Sequence, residues 1–185
     1  MRGSKYIALV GAILGILTVI LFYLLPEIFC LWRIEAKGTE NLRLFLGGFY
    51  SMAYATSPLA IEQGVLFLKF IQTLEPILLI VSILIAGGFV ITLIGSIEGK
   101  RNTGIGGGIA LLFGPILFMI ALLTGMGTLF GELASTLGLV GQNLLYGKIY
   151  EPYIILITWG LGPGFYVVLA GGILGVIGGA LMERE

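Results

Sequence analysis

Charged positions in this chain are gathered into short clusters separated by long apolar runs, and the runs set the elements. Tyr6 to Pro26 lies between Lys5 and Glu27, Pro76 to Ile97 between Glu75 and Glu98, Asn102 to Gly131 between Arg101 and Glu132, and Pro152 to Met182 between Glu151 and Glu183. A lone charge in hydrocarbon is costly, and about 20 apolar residues carry a helix across about 30 Å, so each run predicts a membrane-spanning helix. The pattern places these helices at about 6–26, 70–98, 102–131 and 152–182. A secretory signal is the rival reading of the first run, because Arg2 and Lys5 precede it. Its apolar stretch exceeds the usual length of about 7 to 15 residues, and "LLPEIFCLW" offers no small-x-small cleavage site, so it reads as an uncleaved helix.

The segments between the runs are patterned too. The first outer loop, 27–69, reads as a folded cap: in "NLRLFLGGFYSMAY", Leu42, Leu44 and Leu46 alternate with Asn41, Arg43 and Phe45, and Gly47-Gly48 supply a two-residue hairpin signal. A short helix lying on the membrane surface is the alternative. "SPLAIEQG" reads as a turn punctuated by Pro58 and Gly64, and Pro76 either opens the second helix or kinks a longer one. "IEGKRNTG" is short enough to force the second and third spans into an antiparallel pair, whereas the second outer loop, 132–151, is apolar enough to pack on the bundle or on a neighbour. The expected fold class is an all-α membrane protein: one four-helix transmembrane bundle, 1–185, with a small extracellular cap containing a β-hairpin or small antiparallel sheet.

Composition agrees. With 58% hydrophobic and 11% charged residues and a mean hydropathy of +1.08, a 185-residue chain cannot hide its apolar side chains in one soluble core. The formal net charge is +0 and no loop holds a run of like charges, so the partner expected is the lipid bilayer and not nucleic acid. Arg2, Lys5, Lys100, Arg101 and Arg184 are dense on one side, while Arg33, Lys37, Arg43, Lys69 and Lys148 are spread over two long loops; density puts both termini in the cytoplasm. Trp32, Tyr23, Tyr150, Tyr153 and Trp159 stand near outer boundaries, as interfacial anchors do. The single cysteine, Cys30, reads as an inert buried or lipid-facing thiol, or as one half of an intermolecular bridge.

The chain holds 30 glycines, poor helix formers that earn a place in lipid-embedded helices only where backbones touch. Gly164, Gly171, Gly175 and Gly179 predict one groove along the last helix, facing partners among Gly11 and Gly15, Gly88 and Gly95, and Gly107 and Gly114 with Ala110, Ala121 and Gly125. Gly172 and Gly178 either join this packing or form a second face against another copy. Such smooth faces suit a tight bundle better than a wide pore within one chain.

Candidate chemistry is sparse. The chain has no histidine or aspartate, and one cysteine cannot build a metal site, so no catalytic residue, metal site or cofactor is expected and the chain reads as a non-enzyme. Glu75 is either a first-turn anion favoured by the helix dipole or a proton or cation site. "GIGGGI", Gly104 to Ile109, lacks the Lys and Ser or Thr of a phosphate loop and reads as a flexible helix entry. Polar side chains that could line a path are few: Thr18, Ser82, Thr92, Ser96 and Thr124.

The layout, with "CLWR" after the first helix, "GKRNTGIGGGIALLFGPILFMIALL" for the third and "GPGFYVVLAGGILGVIGGAL" for the fourth, resembles the claudin-like tetraspan superfamily of claudins, peripheral myelin protein relatives and fungal eisosome tetraspans. The resemblance implies an outer loop folded as a small sheet above the bundle, here held without a disulfide because the family's paired loop cysteines are missing. The expected function is that of a non-enzymatic structural, scaffolding or cell-envelope interaction subunit of the cell membrane. It would self-associate as a homo-oligomer or bind another membrane protein, with Trp32, Phe45, Phe49, Tyr50 and Tyr54 as the interaction candidates. The alternative is a subunit of an oligomeric channel or transporter.

Overall fold

The first apolar run folds as α1, Arg2–Phe22, in a computed structural model that describes residues 2–22, 24–38, 42–47, 51–55, 79–124, 145–151 and 155–182. Pro26, which has no amide hydrogen to continue a helix, opens a separate four-residue turn, α2, Pro26–Phe29. The first helix therefore stops short of the expected 26. Helix α3, Leu79–Glu98, and α4, Arg101–Thr124, follow; the expected starts and ends at 70–78 and 125–131 lie outside the described residues. The last helix, α5, is Pro163–Ala180. Helices α1, α3, α4 and α5 are each long and apolar enough to cross a membrane.

The turn between α3 and α4 is a helix stop built on one glycine. Gly99 has φ +76°, and the Lys100 amide reaches back to the Gly95 carbonyl at 3.0 Å, so a left-handed residue closes α3 just before α4 begins. Antiparallel packing follows along the pair: a Cβ on Gly95 would lie 2.8 Å from Gly104 Cα, one on Gly88 2.6 Å from the Leu111 amide, and one on Gly114 2.7 Å from the Ile85 side chain. Helix α5 runs antiparallel to both α1 and α4 and packs along each, while α1 and α4 touch little. The start of α1, the α3–α4 turn and the end of α5 share one end of the bundle, where Ser96 Oγ donates to the Lys5 carbonyl at 2.8 Å.

The opposite end carries a five-stranded antiparallel sheet. Its strands are β1, Trp32–Gly38; β2, Leu42–Leu46; β3, Ser51–Ala55; β4, Tyr146–Glu151; and β5, Ile155–Leu161, in the order β3-β2-β1-β5-β4. The small antiparallel sheet anticipated for the cap is present, and Leu42–Leu46 and Ser51–Ala55 are strands where the rival reading had a surface helix. Leu46 pairs with Ser51, so the β2–β3 connection spans 47–50, four residues where the sequence signal at Gly47-Gly48 suggested two. Two further strands come from the second loop and from the segment assigned to the last helix. The expected helix 152–182 is corrected: Ile155–Leu161 is a strand, and helix begins only at Pro163, after Gly162. "ILITWGL" is rich in β-branched and aromatic residues and finds a backbone partner in β1, so the ladder wins over the helix that its apolarity alone suggests.

Candidate functional site

Alternation divides the sheet into two unlike faces. Trp32 and Ile34 of β1, Leu46 of β2 and Trp159 of β5 are buried and join Val81, Ile85, Leu111, Phe118, Leu122, Phe165 and Val168 of the helices in one continuous core. The sheet is thus rooted in the bundle. Two hydrogen bonds fix the root: the Leu31 amide donates to the Leu46 carbonyl at 2.7 Å, and the Gly162 amide donates to the Leu31 carbonyl at 2.9 Å.

The other face is polar along most of its extent. Register places Tyr54, Arg43, Glu35, Thr158 and Lys148 in one row across all five strands, and Met52, Phe45, Arg33, Gly160 and Tyr146 in the next. Arg33 lies 3.7 Å from Glu35, Arg43 lies 2.7 Å from Glu27, and the Thr158 hydroxyl donates to the Glu35 carbonyl at 3.4 Å. Both arginine pairs are partly exposed, so each ion pair contributes at most about 1 kcal/mol. They orient side chains more than they stabilise the fold.

The interaction candidates fall in different places. Trp32 and Phe45 are fully buried, so neither is a contact surface: Trp32 sits in the shared core, and Phe45 packs with Phe22, Phe29 and Cys30 under the α1–α2 corner. This corrects their assignment, since alternation alone does not reveal that the foot of the polar face is covered by that corner. Phe49 and Tyr50 lie outside the described residues, and Tyr54 takes its place on β3. Near the foot of the sheet, by contrast, Tyr146 is exposed and Arg33 half-buried, and neither carries a role in the sequence reading. The pairing of β1 and β4 with β5 is the missing information that brings them to one level.

Cys30 is buried, and its Sγ lies 3.8 Å from the Glu27 carbonyl. Desolvation raises the thiol from its ordinary value of 9.0 to about 11, with Arg33 opposing the rise. Raised in the fold, the group contributes stability that is whole below about pH 9 and is lost as pH rises toward 11. Cys30 is expected to stay unmodified by maleimide in the folded, detergent-solubilised protein at neutral pH and to react on unfolding. Rapid labelling of folded protein would contradict this burial.

The glycines of α5 serve two lines instead of one groove. A Cβ on Gly171 would lie 2.7 Å from the Gly11 carbonyl, and one on Gly178 2.7 Å from Ala8 Cα, so these meet α1. Gly172, Gly175 and Gly179 meet α4, where a Cβ would lie 2.6 Å from Leu112 Cγ, 3.0 Å from Gly108 Cα and 2.6 Å from the Ile105 amide respectively. Gly172 and Gly178 thus face neighbours within the chain, which removes them as an interface to another copy. Gly15 meets Leu111, Gly107 meets Thr92, and Gly164 meets the Phe29 and Cys30 backbone beside α2. "GIGGGI" is not a loose entry: it forms the opening turns of α4, with Gly104, Gly107 and Gly108 buried.

Thr18, Ser82, Thr92 and Ser96 are buried inside the bundle. Thr18 and Thr92 donate to carbonyls one turn back, Leu14 at 3.1 Å and Gly88 at 2.7 Å. The exterior, in contrast, is aliphatic and aromatic, with Ile13, Ile20, Ile83, Ile94, Phe113 and Ile173 exposed. Glu75 lies outside the described residues. Comparison with protein-family models gives no match, and no curated protein matches the chain.

Proposed function

We propose that this chain is a non-enzymatic, multi-pass protein of the cell membrane with claudin-like architecture and both termini in the cytoplasm. It acts as a structural, scaffolding or interaction subunit, and the polar face of its sheet meets another copy or another membrane protein. One observation carries the reading: the sheet shares a core with the bundle while its other face presents Arg33, Arg43 and Lys148 outward. A surface held this firmly binds without first being ordered. Close approach along Gly11, Gly88, Gly108 and Gly175 keeps the four helices together, leaving the apolar exterior to lipid.

The rival reading, a channel or transporter subunit, requires polar side chains toward a path between copies. Thr18, Thr92 and Ser96 are turned inward and bonded to backbone carbonyls, which weighs against it. The mass of the protein extracted in mild detergent tests the proposal: we expect a particle larger than one 19.8 kDa chain plus its detergent, reduced to one chain by Arg43→Glu with Lys148→Glu. A single chain with no stoichiometric partner would sink it, and ion conductance across planar bilayers would favour the rival. Orientation is read by whether a cysteine placed at Asn102 is labelled only from the cytoplasmic side.

A further inference from the structure

Helix α5 holds 18 residues, about 27 Å at 1.5 Å per residue, close to the thickness of a hydrocarbon core. Pro163 therefore stands near one hydrocarbon boundary. The strand leading into it, β5, advances about 3.3 Å per residue, so Gly160 stands at the depth of the lipid headgroups. Gly160 is in register with Arg33 on one side and Tyr146 on the other, and all three positions fall on the polar face. The Tyr146 ring lies over Gly160 and is 75% exposed, and the Arg33 side chain is 44% exposed. Below this row the surface turns apolar, with Leu24, Leu25 and Ile28 exposed at the α1–α2 corner and Tyr166 exposed in the first turn of α5.

We infer that Arg33 and Tyr146 bind the phosphate of an anionic phospholipid, whose acyl chains lie along the apolar surface beneath them. A guanidinium matches both non-bridging oxygens of a phosphodiester at once, and the phenol hydroxyl donates to one of the same two, each of which accepts more than one hydrogen bond. Glu35 is the acid nearest Arg33 on this face, at 3.7 Å and mostly buried, while Lys148 is exposed one step along β4 from Tyr146. Among the described residues of this face, Arg33, Arg43 and Lys148 outnumber Glu27 and Glu35, and this balance favours phosphatidylglycerol over phosphatidylcholine, whose choline cancels the phosphate. The site rests on the four-span reading.

Nanodiscs of phosphatidylcholine containing a minor fraction of phosphatidylglycerol provide the test, with retained lipid counted by native mass spectrometry after partial delipidation. Wild-type protein is expected to retain phosphatidylglycerol preferentially, and Arg33→Gln to lose that preference about fivefold. Tyr146→Ser, at an exposed position, is expected to weaken retention without unfolding the protein, and Lys100→Gln at the far end of the bundle to leave it unchanged. Wild-type retention in both Arg33→Gln and Tyr146→Ser overturns the site, as does displacement of the lipid by inorganic phosphate alone, which would mark a simple anion site. Failure of the chain to enter the discs at all overturns the four-span reading, and the site with it.

Discussion

Gly175→Leu is expected to abolish the folded bundle. A Cβ at this position would lie 3.0 Å from Gly108 Cα and 3.3 Å from Thr92 Cγ2, and the Gly175 amide itself sits 2.6 Å from where a Cβ on Gly11 would stand. Two helices, α4 and α3, close on the missing side chain, and a third, α1, closes on the backbone beside it. Overpacking costs about 1–3 kcal/mol where neighbouring side chains can yield, but much of what leucine meets here is backbone, so the loss should exceed about 3 kcal/mol. Ile177→Leu, on the exposed side of the same helix, is the matched control and should change stability by about 1 kcal/mol or less. Thermal unfolding in detergent measures both variants, and equal midpoints would falsify the close-approach account.

Trp32→Ala should rank next. The indole is fully buried where sheet and helices share a core, and removing a buried tryptophan typically costs about 3–5 kcal/mol. The diagnostic outcome concerns cooperativity: with one core, cleavage by trypsin after Arg43 and loss of helical signal should advance together on heating. Two separated transitions, sheet first and helices later, would show the sheet to be an independent unit.

The four long apolar helices are legible because ionised side chains mark their ends and few sequence features rival that signal. Their boundaries are less so. "ILITWGL" and the helix after it form one uncharged run, and periodicity cannot part a buried strand from a buried helix when both are apolar throughout. The local signal that could have divided them is Gly162-Pro163, since proline commonly occupies the first helical position. The same limit hid the two-sided use of α5, because a spacing of four residues drifts around a helix and only the neighbours reveal which glycine meets α1 and which meets α4. Strand β1 escaped notice because its partners, β2 and β5, are brought together across more than a hundred residues of chain.

Between Leu161 and Pro163 stands a single residue, Gly162, whose amide is tied to the Leu31 carbonyl. So short a joint has no slack. The sheet cannot swivel on α5, and whatever docks on it is held at a fixed angle to that helix. Two molecules meeting sheet to sheet would therefore set their bundles at one angle, so that the geometry of such an assembly would be written into a linker one residue long.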